Sequence, residues 1–243
     1  MRIVFGLLLV GLLATGCAKI QEELLGADTK ACASETNDVA TALAACEKLV
    51  AAGNSDSKAL AHLYFMRGFQ KLRKDDAPAA LKDLDESIRL DPGQWIVFAN
   101  RSNVLSNLGE HDRAFADVSR AIELDGRDFR LYGQRCWIRA VQVRELDTAL
   151  ADCTKALDGN PEDWNSFNSR GFVQFRMGKF KEAIADYDAA IAGDPSVASS
   201  YLIRGMAKRA LADNAGADAD IAEARSKDAG VADRYAGYGV VVQ

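Results

Sequence analysis

Five stretches of this chain can be laid one above another, starting at Ala61, Trp95, Phe129, Trp164 and Ala198, at spacings of 34, 34, 35 and 34 residues. The fourth place is always aromatic: Tyr64, Phe98, Tyr132, Phe167 and Tyr201. The seventh is always arginine, at Arg67, Arg101, Arg135, Arg170 and Arg204, and a small residue follows at Gly68, Ser102, Cys136, Gly171 and Gly205. Later in each copy an alanine recurs at Ala80, Ala114, Ala149, Ala183 and Ala217. An aspartate recurs three residues on, at Asp83, Asp117, Asp152, Asp186 and Asp220, and a small residue at Ser87, Ala121, Ala156, Ala190 and Ala224. Such a register, kept over five copies, points to a repeat architecture. Each copy holds two stretches with apolar residues at helical spacing. A polar turn such as Gly109-Glu110-His111-Asp112 or Gly178-Lys179-Phe180 divides them. Asp91-Pro92-Gly93, Asp125-Gly126, Asn160-Pro161 and Asp194-Pro195 close the copies, proline and glycine there stopping the second helix. Small residues at matched places let two helices approach to about 8 Å between axes. One hairpin alone cannot bury its apolar faces, so stacked copies must build the core.

The period and the small-residue places resemble the tetratricopeptide repeat, from Ala61 to near Val231. The resemblance implies an all-α solenoid of helical hairpins wound into a right-handed superhelix, with repeats at 61–94, 95–128, 129–163, 164–197 and 198–231. It specifies fold far more than function. The third copy carries one extra residue near Glu145-Leu146-Asp147, expected in the turn. Residues 36–60 read as a capping helix (Thr36 to Ala52) and a connector, and 17–35 as an irregular lead-in. In 232–243, Tyr235 and Tyr238-Gly239 look like the start of a further first helix that ends as a short cap.

Residues 1–16 differ in kind. Arg2 precedes an apolar run from Ile3 to Leu13, too short to span a bilayer as a mature helix and suited to the core of an export signal. The segment ends Leu12-Leu13-Ala14-Thr15-Gly16-Cys17, which resembles a bacterial lipobox and implies lipidation of Cys17. The other reading is an ordinary signal cut near Gly16 or Ala18. Ala18 after the cysteine is the pattern that, by analogy with enteric bacteria, directs a lipoprotein to the outer membrane. The expected location is therefore the periplasm, lipid-anchored to the outer membrane. Of five cysteines, Cys17 is modified or removed, and Cys32, Cys46, Cys136 and Cys153 remain for two disulfides in an oxidising compartment.

The arginines and aspartates recur together, so the expected role of the ladder (Arg67, Arg101, Arg135, Arg170, Arg204 with Asp83, Asp117, Asp152, Asp186, Asp220) is ion pairing that sets helix register, rather than a row of anion sites. Cys136 takes the small first-helix place. Cys153 takes a core place filled elsewhere by Leu84, Val118, Tyr187 and Ile221. These two thiols should face each other and form a disulfide; the alternative is a pair of inert buried thiols. Cys32 with Cys46 forms the second expected pair.

In tetratricopeptide arrays the first helices line a concave surface that binds peptides. The places concerned here include Phe65, Phe69, Asn103, Trp137, Asn168, Phe172, Phe175, Arg176 and Met206. Aromatics with amides suit an extended peptide or a partner helix; the alternative is that Phe69, Trp137, Phe172 and Met206 pack between successive first helices. The chaperone-clamping pattern of lysines is missing, since Phe65, Ala99 and Gly133 stand at the fifth places. A net charge of −5 with no basic stripe disfavours nucleic acid as a partner. The two histidines, His62 and His111, match no metal spacing, and no phosphate loop or nucleophile motif occurs. The expectation is no enzyme and no cofactor, metal or catalytic residue, and an adaptor whose partners are envelope proteins or peptides. A pilotin-like assembly factor is the alternative, and an enzyme subunit a remote third.

Overall fold

The computed structural model describes residues 26–36, 38–54 and 56–241. The expected export signal and the expected lipidation at Cys17 lie outside the described residues. Among the described residues there are thirteen helices and no strand. They fall into two compact units that divide at Asp125 and Gly126.

The first unit holds α1 (Ala27–Cys32), α2 (Val39–Ala52), α3 (Ser57–Arg73), α4 (Ala77–Leu90), α5 (Trp95–Asn107) and α6 (His111–Leu124). The second holds α7 (Phe129–Gln142), α8 (Leu146–Gly159), α9 (Trp164–Arg176), α10 (Phe180–Gly193), α11 (Ala198–Ala210), α12 (Asn214–Lys227) and α13 (Val231–Gly237). The pairs α3/α4, α5/α6, α7/α8, α9/α10 and α11/α12 pack as antiparallel hairpins, one per sequence repeat. The alanine column (Ala80, Ala114, Ala149, Ala183, Ala217) has no exposed surface at all, as close packing between paired helices demands. At Gly205 an added Cβ would lie 3.0 Å from the Ala217 carbonyl oxygen, so this place admits glycine where the backbones come nearest.

Local chemistry sets the helix ends. Asp38, Asp56, Asp76, Asp128, Asp163 and Asp213 each accept a backbone N–H of the following first turn. Asp91, Asn160 and Asp194 end α4, α8 and α10 in extended geometry, with φ of −144°, −143° and −142°. Each precedes a proline, which excludes the helical region for the residue before it. Their side chains then accept from the amide two residues on, at Gly93, Glu162 and Ser196 (3.1, 3.3 and 2.9 Å), closing an Asx turn at the end of the hairpin.

One feature departs from the sequence reading. The lead-in is not wholly irregular: α1 occupies 27–32 and packs on α2. Six residues are too few to show a helical period, and a helix that short persists only through tertiary contacts. Those contacts are the Cys32–Cys46 disulfide and Gln70, whose amide donates to the carbonyls of Cys32 (2.9 Å) and Ser34 (3.2 Å). The extra residue of the third repeat lies in the turn, as expected. A left-handed residue follows the first helix 14 residues after the start of every copy, at Asp75, Gly109, Val143, Gly178 and Ala212, and the third copy alone adds another, Glu145, before its second helix. Val143 and Glu145 have φ of 51° and 48°. A β-branched side chain is strained there, and Val143 is exposed, so little packing is lost with its removal. Val143→Gly should therefore stabilise the protein by about 1 kcal/mol. Thermal unfolding checks this, and an unchanged or lower midpoint would contradict it.

Candidate functional site

The ladder arginines all meet their aspartates across the hairpin. Arg67, Arg101, Arg135, Arg170 and Arg204 each present Nε and a terminal nitrogen to the two carboxylate oxygens, at distances between 2.6 and 2.9 Å. The planar fork matches the carboxylate in both bonds. Each guanidinium also lies over the aromatic three residues before it, 5.2 to 5.7 Å from the ring centroid. That stacking accounts for the invariant fourth place. Arg101 and Arg204 reach further, to Asp85 and Asp188 of the preceding hairpins, both at 2.7 Å. Hydrogen bonds donated to the aspartates hold all five guanidinium groups above their ordinary pKa, against desolvation.

In the first, third and fifth repeats a second cation, four residues on from the arginine, meets the same carboxylate: Lys71 at Asp83 (2.7 Å), Arg139 at Asp152, and Lys208 at Asp220 (2.8 Å). Sequence reasoning missed these, although the i+4 spacing was visible. Burial works to raise the Asp220 pKa, but hydrogen bonds from Arg204 and Lys208 outweigh it and hold the carboxyl below its ordinary value of 3.8. A depressed folded-state pKa contributes stability above the unfolded value that is lost as pH falls through the folded one. The difference in melting midpoint between the wild type and Asp220→Asn should therefore be full at neutral pH and shrink towards zero below about pH 3.8. A difference independent of pH would contradict the ionic origin.

Both expected cysteine pairs are bonded: Cys32–Cys46, with Cα atoms 4.8 Å apart, and Cys136–Cys153, at 5.4 Å. All four are fully buried. The second pair joins α7 to α8 where the small first-helix place meets the core place of the second helix.

The groove residues separate into kinds. Phe65 is 1% exposed and packs with Leu84, Val97 and Val104, so it belongs to the core of the first unit, not to an open surface. Phe69, Asn103, Trp137, Asn168 and Phe172 are also buried, while Phe175, Arg176 and Met206 are partly buried. Phe65 thus packs in the core, while the Trp137–Phe172 pair, whose rings lie 5.5 Å apart, is covered by other side chains.

What buries that pair is the C-terminal segment, which sequence reasoning treated only as an end cap. Tyr235 stands edge-on to Phe172 at 5.5 Å and to Trp137 at 6.4 Å, and Tyr238 stands edge-on to Trp137 at 5.9 Å. Arg176 lies 4.9 Å above the Phe172 ring and donates to the Tyr238 carbonyl. It differs from the ladder. Among the described residues no carboxylate pairs with it, its Nε is buried without a hydrogen-bond partner, and burial pushes its pKa down rather than up. The Asn168 side-chain oxygen is likewise buried without a partner.

A cleft of about 850 Å³ lies elsewhere in the second unit, lined by Arg127, Phe129, Tyr132, Leu150, Lys155 and Asp158 among others. Lys155 is 3.9 Å above the Tyr132 ring there, so its charge is already engaged. Burial lowers the pKa of His62 and of His111. Among the described residues no group of three or more His, Cys, Asp or Glu could hold a metal ion.

No family model matches the chain. Among curated proteins it is 27% identical over 115 residues to stress-induced-phosphoprotein 1 of Caenorhabditis elegans, covering 40% of this chain and 36% of that protein. It is 30% identical over 105 residues to the small glutamine-rich tetratricopeptide repeat-containing protein 2 of Saccharomyces cerevisiae, covering 43% and 30% respectively. The matched region thus spans little more than a third of these relatives at most. Among solved structures, a tetratricopeptide repeat protein from Parabacteroides merdae superposes with a TM-score of 0.68 at 17% identity, over 86% of this chain and 80% of that one. YrrB, described as a TPR protein with an unusual peptide-binding site, superposes at 0.56 with 16% identity, over 75% and 92%. PilW, described as a widely conserved type IV pilus biogenesis factor, superposes at 0.62 with 16% identity, over 69% and 77%. With five register-matched hairpins and these likenesses in hand, the chain is, in its fold, a tetratricopeptide-repeat protein.

Proposed function

We propose that this chain is a non-catalytic adaptor of the bacterial cell envelope that binds a partner protein or peptide on the first-helix face of its second unit. The observation that carries the reading is the Trp137–Phe172 pair with Arg176 beside it. This is an aromatic platform with a cation that, among the described residues, has no acid of its own. Aromatic and arginine anchors in a desolvated setting are the usual sources of binding energy. The regular arginines are engaged in the ladder and hold the scaffold. The envelope location rests on the export signal and Cys17 in the sequence, and on two disulfides, which persist in oxidising compartments. Among the described residues no helix is long and apolar enough to cross a membrane. Lipid on Cys17 would supply the attachment.

In vivo cross-linking of the full chain, followed by mass spectrometry of the envelope fraction, tests the reading. Envelope proteins should be recovered, with one lost on Trp137→Ala. Recovery of cytoplasmic proteins alone would overturn it, and failure to incorporate labelled palmitate would remove the lipid anchor. The likeness to PilW supports a second reading, an assembly factor. That reading expects groove substitutions to change oligomeric mass instead of a single partner.

A further inference from the structure

The C-terminal segment sits on the face that the proposed function assigns to a partner. α13 packs on α11 and α12, yet its Tyr235 and the following Tyr238 reach over α7 and α9. Tyr235 and Tyr238 are three residues apart, stack edge-on on each other at 5.5 Å, and cover the Trp137–Phe172 platform. Tyr235 is 4% exposed. The backbone carbonyl of Tyr238 receives the Arg176 guanidinium. The aromatic contacts are well formed, but the polar one is not. A neutral carbonyl meets a partly buried cation whose Nε is left without a partner, whereas each ladder arginine binds a carboxylate through two bonds. A carboxylate facing a guanidinium adds charge–charge attraction and a second parallel bond that a single carbonyl dipole lacks.

We propose that residues 231–241 act as an intramolecular occupant of the partner site. They would be displaced by a peptide that presents two aromatic side chains three residues apart, with a carboxylate where the Tyr238 carbonyl lies. The inference rests on the first-helix face being a partner site. The own segment fills the aromatic subsites and shields them from water. The incoming carboxylate adds the charge that Arg176 lacks, and this differential contact moves the equilibrium from the tethered segment to the free ligand. A tethered occupant also lowers the apparent affinity of any competitor by the fraction of time the site stands open.

The test uses the full chain and two synthetic acetylated peptides of residues 231–238, one ending in a free carboxylate at Tyr238 and one in an amide. Binding is read by fluorescence anisotropy. The free acid should bind at least 10-fold tighter than the amide, and Arg176→Gln should abolish that difference. The double variant Tyr235→Ala/Tyr238→Ala should bind both peptides at least 10-fold tighter than the wild type. Equal affinity for acid and amide, or for wild type and double variant, would overturn the proposal. Should the double variant lose its helical circular dichroism, hydrogen exchange on the wild type decides. Saturating free acid should speed exchange of the 235–240 amides at least several-fold and leave α8 and α10 unchanged; unaltered exchange at 235–240 would overturn displacement. The two readings fail separately. Absent peptide binding with envelope partners still recovered sinks only the displacement, while peptide binding with no envelope partner sinks the adaptor.

Discussion

Replacing Asp152 by Asn is expected to cost about 3–5 kcal/mol of stability, the largest effect of any single side chain in the ladder. Asp152 is buried and takes both bonds of Arg135, at 2.8 and 2.7 Å, together with a bond from Arg139. Arg139 is itself buried, with Glu145 at 3.2 Å as its other acid. Removing the central charge leaves the buried Arg139 with Glu145 and strips the partly buried Arg135 of its carboxylate, and a poorly compensated buried charge is why breaking such a pair costs more than its net worth. Asp186→Asn is the control, because among the described residues Asp186 pairs with the single cation Arg170. Unfolding by urea should order the losses as Asp152→Asn above Asp186→Asn. Equal losses would mean that the Arg139 bond contributes nothing. Arg135→Ala should lower stability without selectively abolishing partner binding. A variant with unchanged melting and lost binding would return the ladder to the functional site.

The second large effect is loss of the Cys136–Cys153 bond. It closes a separation of 17 residues, and loop entropy assigns about 3 kcal/mol to a loop of that size. At about 2–4 °C per kcal/mol for a chain of this length, Cys136→Ala/Cys153→Ala should lower the melting midpoint by roughly 10 °C. Reductant should lower the wild-type midpoint and act much less on the variant. An unchanged wild-type midpoint under reductant would remove the bond from the account. Cys32–Cys46 closes 14 residues and secures mainly α1. Its reduction should show as faster hydrogen exchange at residues 27–32.

Several features were legible in the residues because they are local or repeat. Hairpin boundaries follow from apolar period, from aspartate caps and from prolines that stop the preceding helix. The arginine–aspartate pairs were legible because two columns that recur together must meet in every copy. The Cys136–Cys153 pair followed once both residues were placed in columns known to touch. The aromatic under each arginine was equally readable from its spacing of three. Sequence reasoning passed over it because the same column also serves as hydrophobic packing.

What the sequence determined by itself was therefore the unit, a two-helix hairpin used five times, and its internal bonds. Tertiary structure decided which side chains of the first helices remain free to meet a partner. Phe65 and Phe172 both stand at first-helix groove places in the sequence, the fifth and the ninth of their copies. One packs among Leu84, Val97 and Val104, while the other carries Tyr235. The place of Tyr235 is fixed by residues 63 and 98 positions earlier, at Phe172 and Trp137 by subtraction. No helical period encodes a contact at that distance. It arises because a brief terminal helix folds back over an apolar platform that water would otherwise wet, and that burial is a property of the assembled hairpins rather than of any segment.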